Sequence, residues 1–244
     1  IASVFVLSAM GQTPSRSAAH REEAVEENLH YLTVIKGRPD PGMSLVNQMS
    51  RLHVPGVSIA VIHGKKVDWS KGYGVARLGG PPVSASTLFS AASMSKPVTA
   101  MAVLRLAQEG RIDLDADVNT YLKSWKIPAN QYTKDHPVTV RELLSHTSGI
   151  GTHNDAIYDP DKGVPSVFQV LEGQAPATTP PVRVESEPGK KYAYANGGYL
   201  ILELLMSDLT GKPFAEAMKE MVLAPLGMSQ STFVAPLPPA KAAI

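Results

Sequence analysis

The sequence predicts an α/β fold of the α+β kind, in which an antiparallel sheet packs with helices beside a mostly helical region. Three observations lead there. Gly56-Val57-Ser58-Ile59-Ala60-Val61-Ile62 is rich in β-branched residues, His63-Gly64-Lys65 supplies a turn, and Lys66 to Val75 alternates as a returning strand. From Val83 onward apolar segments are punctuated by helix start and stop residues. At 244 residues, 43% hydrophobic and 18% charged, the chain can bury a substantial core, as one large domain or two interleaved subdomains.

Taken in order, residues 1–42 form an N-terminal segment. Ile1 to Met10 reads as the apolar core of a secretory signal followed by a polar stretch, which predicts export to the periplasm or exterior; a terminal strand in a cytoplasmic protein is the other reading. The stretch is too short to span a bilayer. A charged helix is expected from Arg21 to about Tyr31, then a linker at Gly37-Arg38-Pro39-Asp40-Pro41-Gly42. Residues 43–233 make the main domain, with a helix and hairpin in 43–80 and a helical part in 81–233. Met43 to Leu52 is a helix with Leu45, Val46, Met49 and Leu52 on one side. The hairpin follows, and two strands alone are not a stable sheet, so pairing with a later segment or another molecule is expected.

In the helical part, a helix around Ser93 runs to Gln108 and stops at Gly110, with Met101, Leu104 and Leu106 as apolar positions expected to be buried. Thr139-Val140-Arg141-Glu142 is a capping-box pattern opening a short helix through Leu144, followed by the turn Ser145-His146-Thr147-Ser148-Gly149. Asn154 to Pro181 is a surface loop with a short helix inside it, a region suited to substrate specificity. Helices are expected from Tyr199 to Leu209, stopped by Gly211, and from Pro213 to about Val222. Residues 234–244 are a linker-like tail.

Composition excludes several functions. With 23 basic and 22 acidic residues, net +1, and no long like-charge run, the chain offers nucleic acid no electrostatic footprint; a small-molecule substrate fits better. Zero cysteines exclude a disulfide scaffold, a thiolate zinc site and a cysteine nucleophile. His146, His153 and Asp155 lack a metal-ligand spacing. There is no phosphate-loop or dinucleotide glycine pattern, so no cofactor is expected. A Ser-His-Asp triad is disfavoured because no Gly-x-Ser-x-Gly elbow exists.

The chemistry centres on Ser93-Met94-Ser95-Lys96-Pro97. Residues three apart share a helix face, so the Lys96 amine can reach the Ser93 hydroxyl. Pro97 is tolerated only in an opening turn, which places Ser93 at or beside a helix N-terminus, where backbone donors and the dipole favour an oxyanion. Alone, Ser-x-x-Lys is a short pattern expected about once by chance in such a chain. Ser93 as an N-cap, Lys96 as a solvated lysine, Tyr194 as a core aromatic and Asn196 as a turn residue are the plain alternatives.

Five ordered signatures weigh against those alternatives: Pro55-Gly56-Val57-Ser58, Ser93-Met94-Ser95-Lys96-Pro97, Leu143-Leu144-Ser145-His146-Thr147-Ser148-Gly149, Tyr194-Ala195-Asn196-Gly197-Gly198-Tyr199 and Leu223-Ala224-Pro225-Leu226-Gly227-Met228. Together they resemble the penicillin-recognising serine hydrolases, most closely the class C β-lactamase branch with its D-alanyl-D-alanine carboxypeptidases, D-amino-acid amidases and family VIII carboxylesterases. The resemblance implies a β-lactamase-like fold and an acyl-enzyme formed at Ser93 from a β-lactam, a D-amino-acid peptide or a small ester. It implies Lys96 or Tyr194, titrating as a coupled pair, as the base, and Asn196 as the holder of Lys96 and of the substrate's acyl-side amide. His146 is read as a loop-stabilising hydrogen-bonder and Tyr192 as structural. One departure stands out: neither Lys-Thr-Gly nor His-x-Gly follows Tyr194, and that strand normally supplies a second oxyanion donor. The chain is then a fragment, or is completed by a partner segment or chain, or is a non-catalytic homologue serving as a binding or structural module.

Overall fold

The computed structural model describes residues 16–33, 35–152, 156–159 and 163–238. The opening stretch read as a secretory signal, and His153 and Asp155, lie outside them. Within the described residues the chain divides into two compact units, 16–89 and 90–238.

The first unit holds α1 (Arg16–Glu27), α2 (Leu45–Arg51), β1 (Gly56–His63) and β2 (Lys66–Gly74). The hairpin forms where expected, because Gly64 and Lys65 both adopt left-handed backbone, φ +57° and +63°, whose twist matches that of the flanking strands. β1 and β2 pair antiparallel, from Gly56 opposite Gly74 to His63 opposite Lys66, with an irregularity between Val61 and Ile62. The helix expected from Arg21 to Tyr31 instead runs Arg16–Glu27, since Leu29 leaves the helix to bridge Met43. It packs on α2 and β2. Charge fastens it there: Arg21 makes two 2.7 Å bonds to Asp68, and Lys71 reaches Glu22 and Glu26 at 2.7 and 2.6 Å. On α2, capped by Ser44, Leu45 is buried whereas Val46 and Leu52 are exposed, so the expected apolar face is largely uncovered.

The second unit opens with a tight turn at Ala92–Met94 that feeds α3 (Ser95–Gln108). Then come α4 (Val140–Leu144), α5 (Val167–Glu172), α6 (Asn196–Thr210) and α7 (Phe214–Met218), the last continued by a wide turn at Lys219–Leu223. The predicted box at Thr139 and Glu142 forms, and Ser166 with Gln169 makes another at α5. α6 is apolar nearly all round, burying Leu200, Ile201, Leu202, Leu204, Leu205 and Met206, and is therefore packed by α3, α4, α5 and α7. It starts at Asn196 rather than Tyr199 and stops at Gly211, φ +69°. On α3 the buried stripe is Ser95, Thr99, Ala102, Val103 and Leu106. Met101 and Leu104, expected inside, fall off that stripe and are 47% and 48% exposed.

Candidate active site

Ser93 sits in the tight turn just ahead of α3, so its side chain is presented at the surface beside the helix N-terminus. The residue before it, Ala92, has φ +42°, a left-handed conformation that a side chain disfavours. Lys96 and Pro97 occupy the opening turn of α3. The Lys96 ammonium donates to Ser93 Oγ at 3.1 Å. From 101 residues away, the Tyr194 hydroxyl donates to the same oxygen at 2.6 Å. The ammonium also lies 4.8 Å from the Tyr194 ring centroid and 5.7 Å from that of Tyr199, an arrangement attractive to a cation. Ser93, Lys96 and Tyr194 are thus gathered on one oxygen. Asn196, half-buried, is the first residue of α6, two positions beyond Tyr194.

His146 stands closer to this centre than the sequence suggests. Its ring Nδ1 accepts the Ala195 N–H at 3.2 Å, as a loop-stabilising hydrogen-bonder would, but the imidazole also lies against Tyr194, 4.5 Å between centroids. Tyr199 is 5.3 Å away on the same side, with its hydroxyl donating to the Leu144 carbonyl, and Tyr192 meets the ring edge-on at 5.9 Å. Burial, aided by the Lys96 charge, pushes the His146 imidazole below its ordinary value. Burial, with Tyr194 beside it, pushes the Tyr199 phenol up. Among the described residues no group of three or more His, Asp or Glu is placed to hold a metal. None of their helices is long and apolar enough to cross a membrane.

A hydroxyl flanked by an ammonium and a phenol, beside a helix N-terminus, is the arrangement that the resemblance to the penicillin-recognising serine hydrolases led one to expect, and comparisons with known proteins support that superfamily. Solved structures share the fold. The octameric penicillin-binding protein homologue from Pyrococcus abyssi aligns with a TM-score of 0.62 at 28% identity, over 75% of this chain and 42% of that one. D-amino acid amidase from Ochrobactrum anthropi aligns with a TM-score of 0.61 at 26% identity, over 76% and 50% of the two chains. The profile of the Beta-lactamase family matches residues 43–243, and the chain belongs to that family, with a β-lactamase-like fold. It is 29% identical over 191 residues to Protein flp of Staphylococcus aureus, covering 77% of this chain and 36% of that protein. The chain therefore spans about a third of the length of that relative.

Proposed function

We propose that this chain carries the serine-bearing half of an acyl-enzyme hydrolase, with Ser93 as nucleophile. The observation that supports it most directly is the convergence of Lys96 and Tyr194 on Ser93 Oγ at 3.1 and 2.6 Å. A serine hydroxyl is a weak nucleophile until its proton is taken. The pair acts in the form that holds one proton fewer, with either a neutral Lys96 amine or a Tyr194 phenolate; Oγ then bonds to the carbonyl carbon of a β-lactam, a D-amino-acid amide or a small ester while its proton passes to that basic site. The pair returns the proton to the departing nitrogen or oxygen, and water then cleaves the acyl-enzyme. The lysine charge favours negative charge on either neighbouring oxygen. Asn196, at the start of α6, is proposed to hold the substrate's acyl-side amide.

A second reading, a binding module without turnover, draws on one observation: β1 and β2 pair only with each other among the described residues. A further strand supplied by another segment or chain is proposed to complete the sheet. Without its oxyanion donor, acylation slows on the order of a hundred- to a thousandfold. The two readings separate by intact mass after incubation with an alkyl fluorophosphonate or a fluorescent penicillin. The enzyme reading expects one adduct per chain, abolished by Ser93→Ala; no adduct at millimolar reagent would favour the binding module. Turnover of p-nitrophenyl acetate without nitrocefin hydrolysis would then assign the esterase branch.

A further inference from the structure

We infer that His146 is a positioning residue that holds Tyr194 on Ser93 while its imidazole is neutral and releases it when protonated. The inference builds on the proposed acylation of Ser93 and assigns that site a residue outside the Ser93, Lys96, Tyr194 and Asn196 set.

Tyr194 lies in extended chain before α6, and the backbone N–H groups of both neighbouring residues, Ala193 and Ala195, end on His146. The Ala193 N–H donates to the His146 carbonyl at 2.8 Å, and the Ala195 N–H donates to Nδ1 at 3.2 Å. One residue therefore grips the backbone on either side of the tyrosine whose hydroxyl meets Ser93. The imidazole also backs the phenol ring, with 4.5 Å between centroids and a 35° tilt. His146 reaches this position through left-handed backbone, φ +58°, in the turn after α4. That conformation is uncommon for most side chains and more frequent for histidine and asparagine.

The tautomer follows from the partner. A backbone N–H can only donate, so Nδ1 must be unprotonated and the neutral ring carries its proton on Nε2. A second proton, on Nδ1, would set N–H against N–H at Ala195 and put a cation beside Lys96. The titratable groups facing the ring are Lys96 on α3, Tyr192 and Tyr194 ahead of α6, and Tyr199 within it. The lysine charge and burial both favour the neutral ring, which keeps the grip closed at neutral pH and opens it in acid. Opening frees the Tyr194 hydroxyl from Ser93, and small misplacements at a reacting centre are costly in rate.

His146→Asn tests this, because asparagine tolerates the backbone conformation and its side-chain oxygen can accept the Ala195 N–H, yet it does not titrate. The rate of Ser93 labelling by an alkyl fluorophosphonate is measured from pH 4.5 to 8 in the whole chain. Wild type is expected to keep its rate through the ordinary imidazole value of about 6.5 and to slow only at lower pH, because burial and the Lys96 charge push His146 down. His146→Asn keeps the neutral rate within a few fold and loses that acid limb, whereas His146→Ala is slower on the order of tenfold or more at every pH. A readout free of catalysis separates this inference from the acylation reading: nitrogen NMR of the imidazoles, with His146 assigned by its loss in His146→Asn, together with amide exchange at Ala193 and Ala195. The inference holds if Nδ1 is unprotonated at neutral pH and both amides exchange faster in acid in wild type but not in His146→Asn. Those NMR results with no labelling of wild type would sink the acylation reading and leave the positioning role standing. An acid limb that persists in His146→Asn, or an Nδ1 that carries a proton at neutral pH, overturns the positioning role.

Discussion

At the scale of single residues, the cost of presenting the nucleophile falls on its neighbour. Ala92, at φ +42°, holds a conformation that disfavours a Cβ, immediately before Ser93 in a turn that leads into α3. Glycine has no such penalty, so Ala92→Gly should raise stability by about 1 kcal/mol in urea unfolding. It should at the same time slow Ser93 labelling several-fold by loosening the turn. A variant that is neither more stable nor slower would show that the strain is not held at this residue. Ser93 and Lys96 could be paired from the sequence because one helical turn fixes their reach. Tyr194 could not be paired by spacing, being 101 residues distant, and only the ordered signatures brought it in. His146 was seen as part of a turn; its approach to Tyr194 is a tertiary contact that leaves no periodic trace.

At the scale of elements, the caps and breakers carried most of the information. The Thr139 and Glu142 box, the two-residue hairpin turn and the glycine at the end of α6 each work within a few residues, so their pattern names their structure. The phase of an apolar stripe is decided by packing instead, which is why Met101 and Leu104 on α3 are exposed. The docking of α1 on β2 was also invisible, since it is made by charges some 45 residues apart: Lys71 binds Glu26, and the Tyr73 hydroxyl donates to the same carboxylate at 2.8 Å. The hydrogen bond from Lys71 is the largest cause holding Glu26 below the ordinary carboxylate value. A carboxylate with a depressed folded value adds stability that is present above its unfolded value of about 4.3 and is lost as pH falls through the folded one. Asp68, lowered by its bonds to Arg21, acts in the same sense. Glu26→Gln should therefore cost about 1 kcal/mol at pH 6 and less at pH 3, below the unfolded value, read as unfolding midpoints at the two values. An equal cost at both would mean that the contact works by shape rather than by charge.

At the scale of the whole molecule, the five signatures foretold the family because their order along the chain is itself information, but the distribution of stability had to be seen in the structure. The buried hydrophobic cluster extends from Ala91 to Phe233, all within the second unit. In residues 16–89 the buried apolar side chains among the described residues are Leu45, Trp69 and Val83. That unit also buries polar atoms without hydrogen-bond partners among the described residues: Asp40 Oδ1, Trp69 Nε1 and Ser70 Oγ. Each such atom costs about 1–3 kcal/mol, against roughly 1.5–3 kcal/mol from burying one large apolar side chain. Among the described residues the first unit thus has the smaller apolar core, and local opening should begin there. Trypsin at low ratio should cut first within 16–89, at exposed positions such as Lys65, Lys66 and Arg77, while 90–238 persists as a resistant fragment on mass analysis. Raising salt should hasten that cleavage by screening the Arg21 and Lys71 pairs. Ser93, Lys96, Tyr194 and His146 all belong to 90–238. If both units were lost together at one rate, the second would be drawing its stability from the first, and the asymmetry in core size would not govern how the molecule opens.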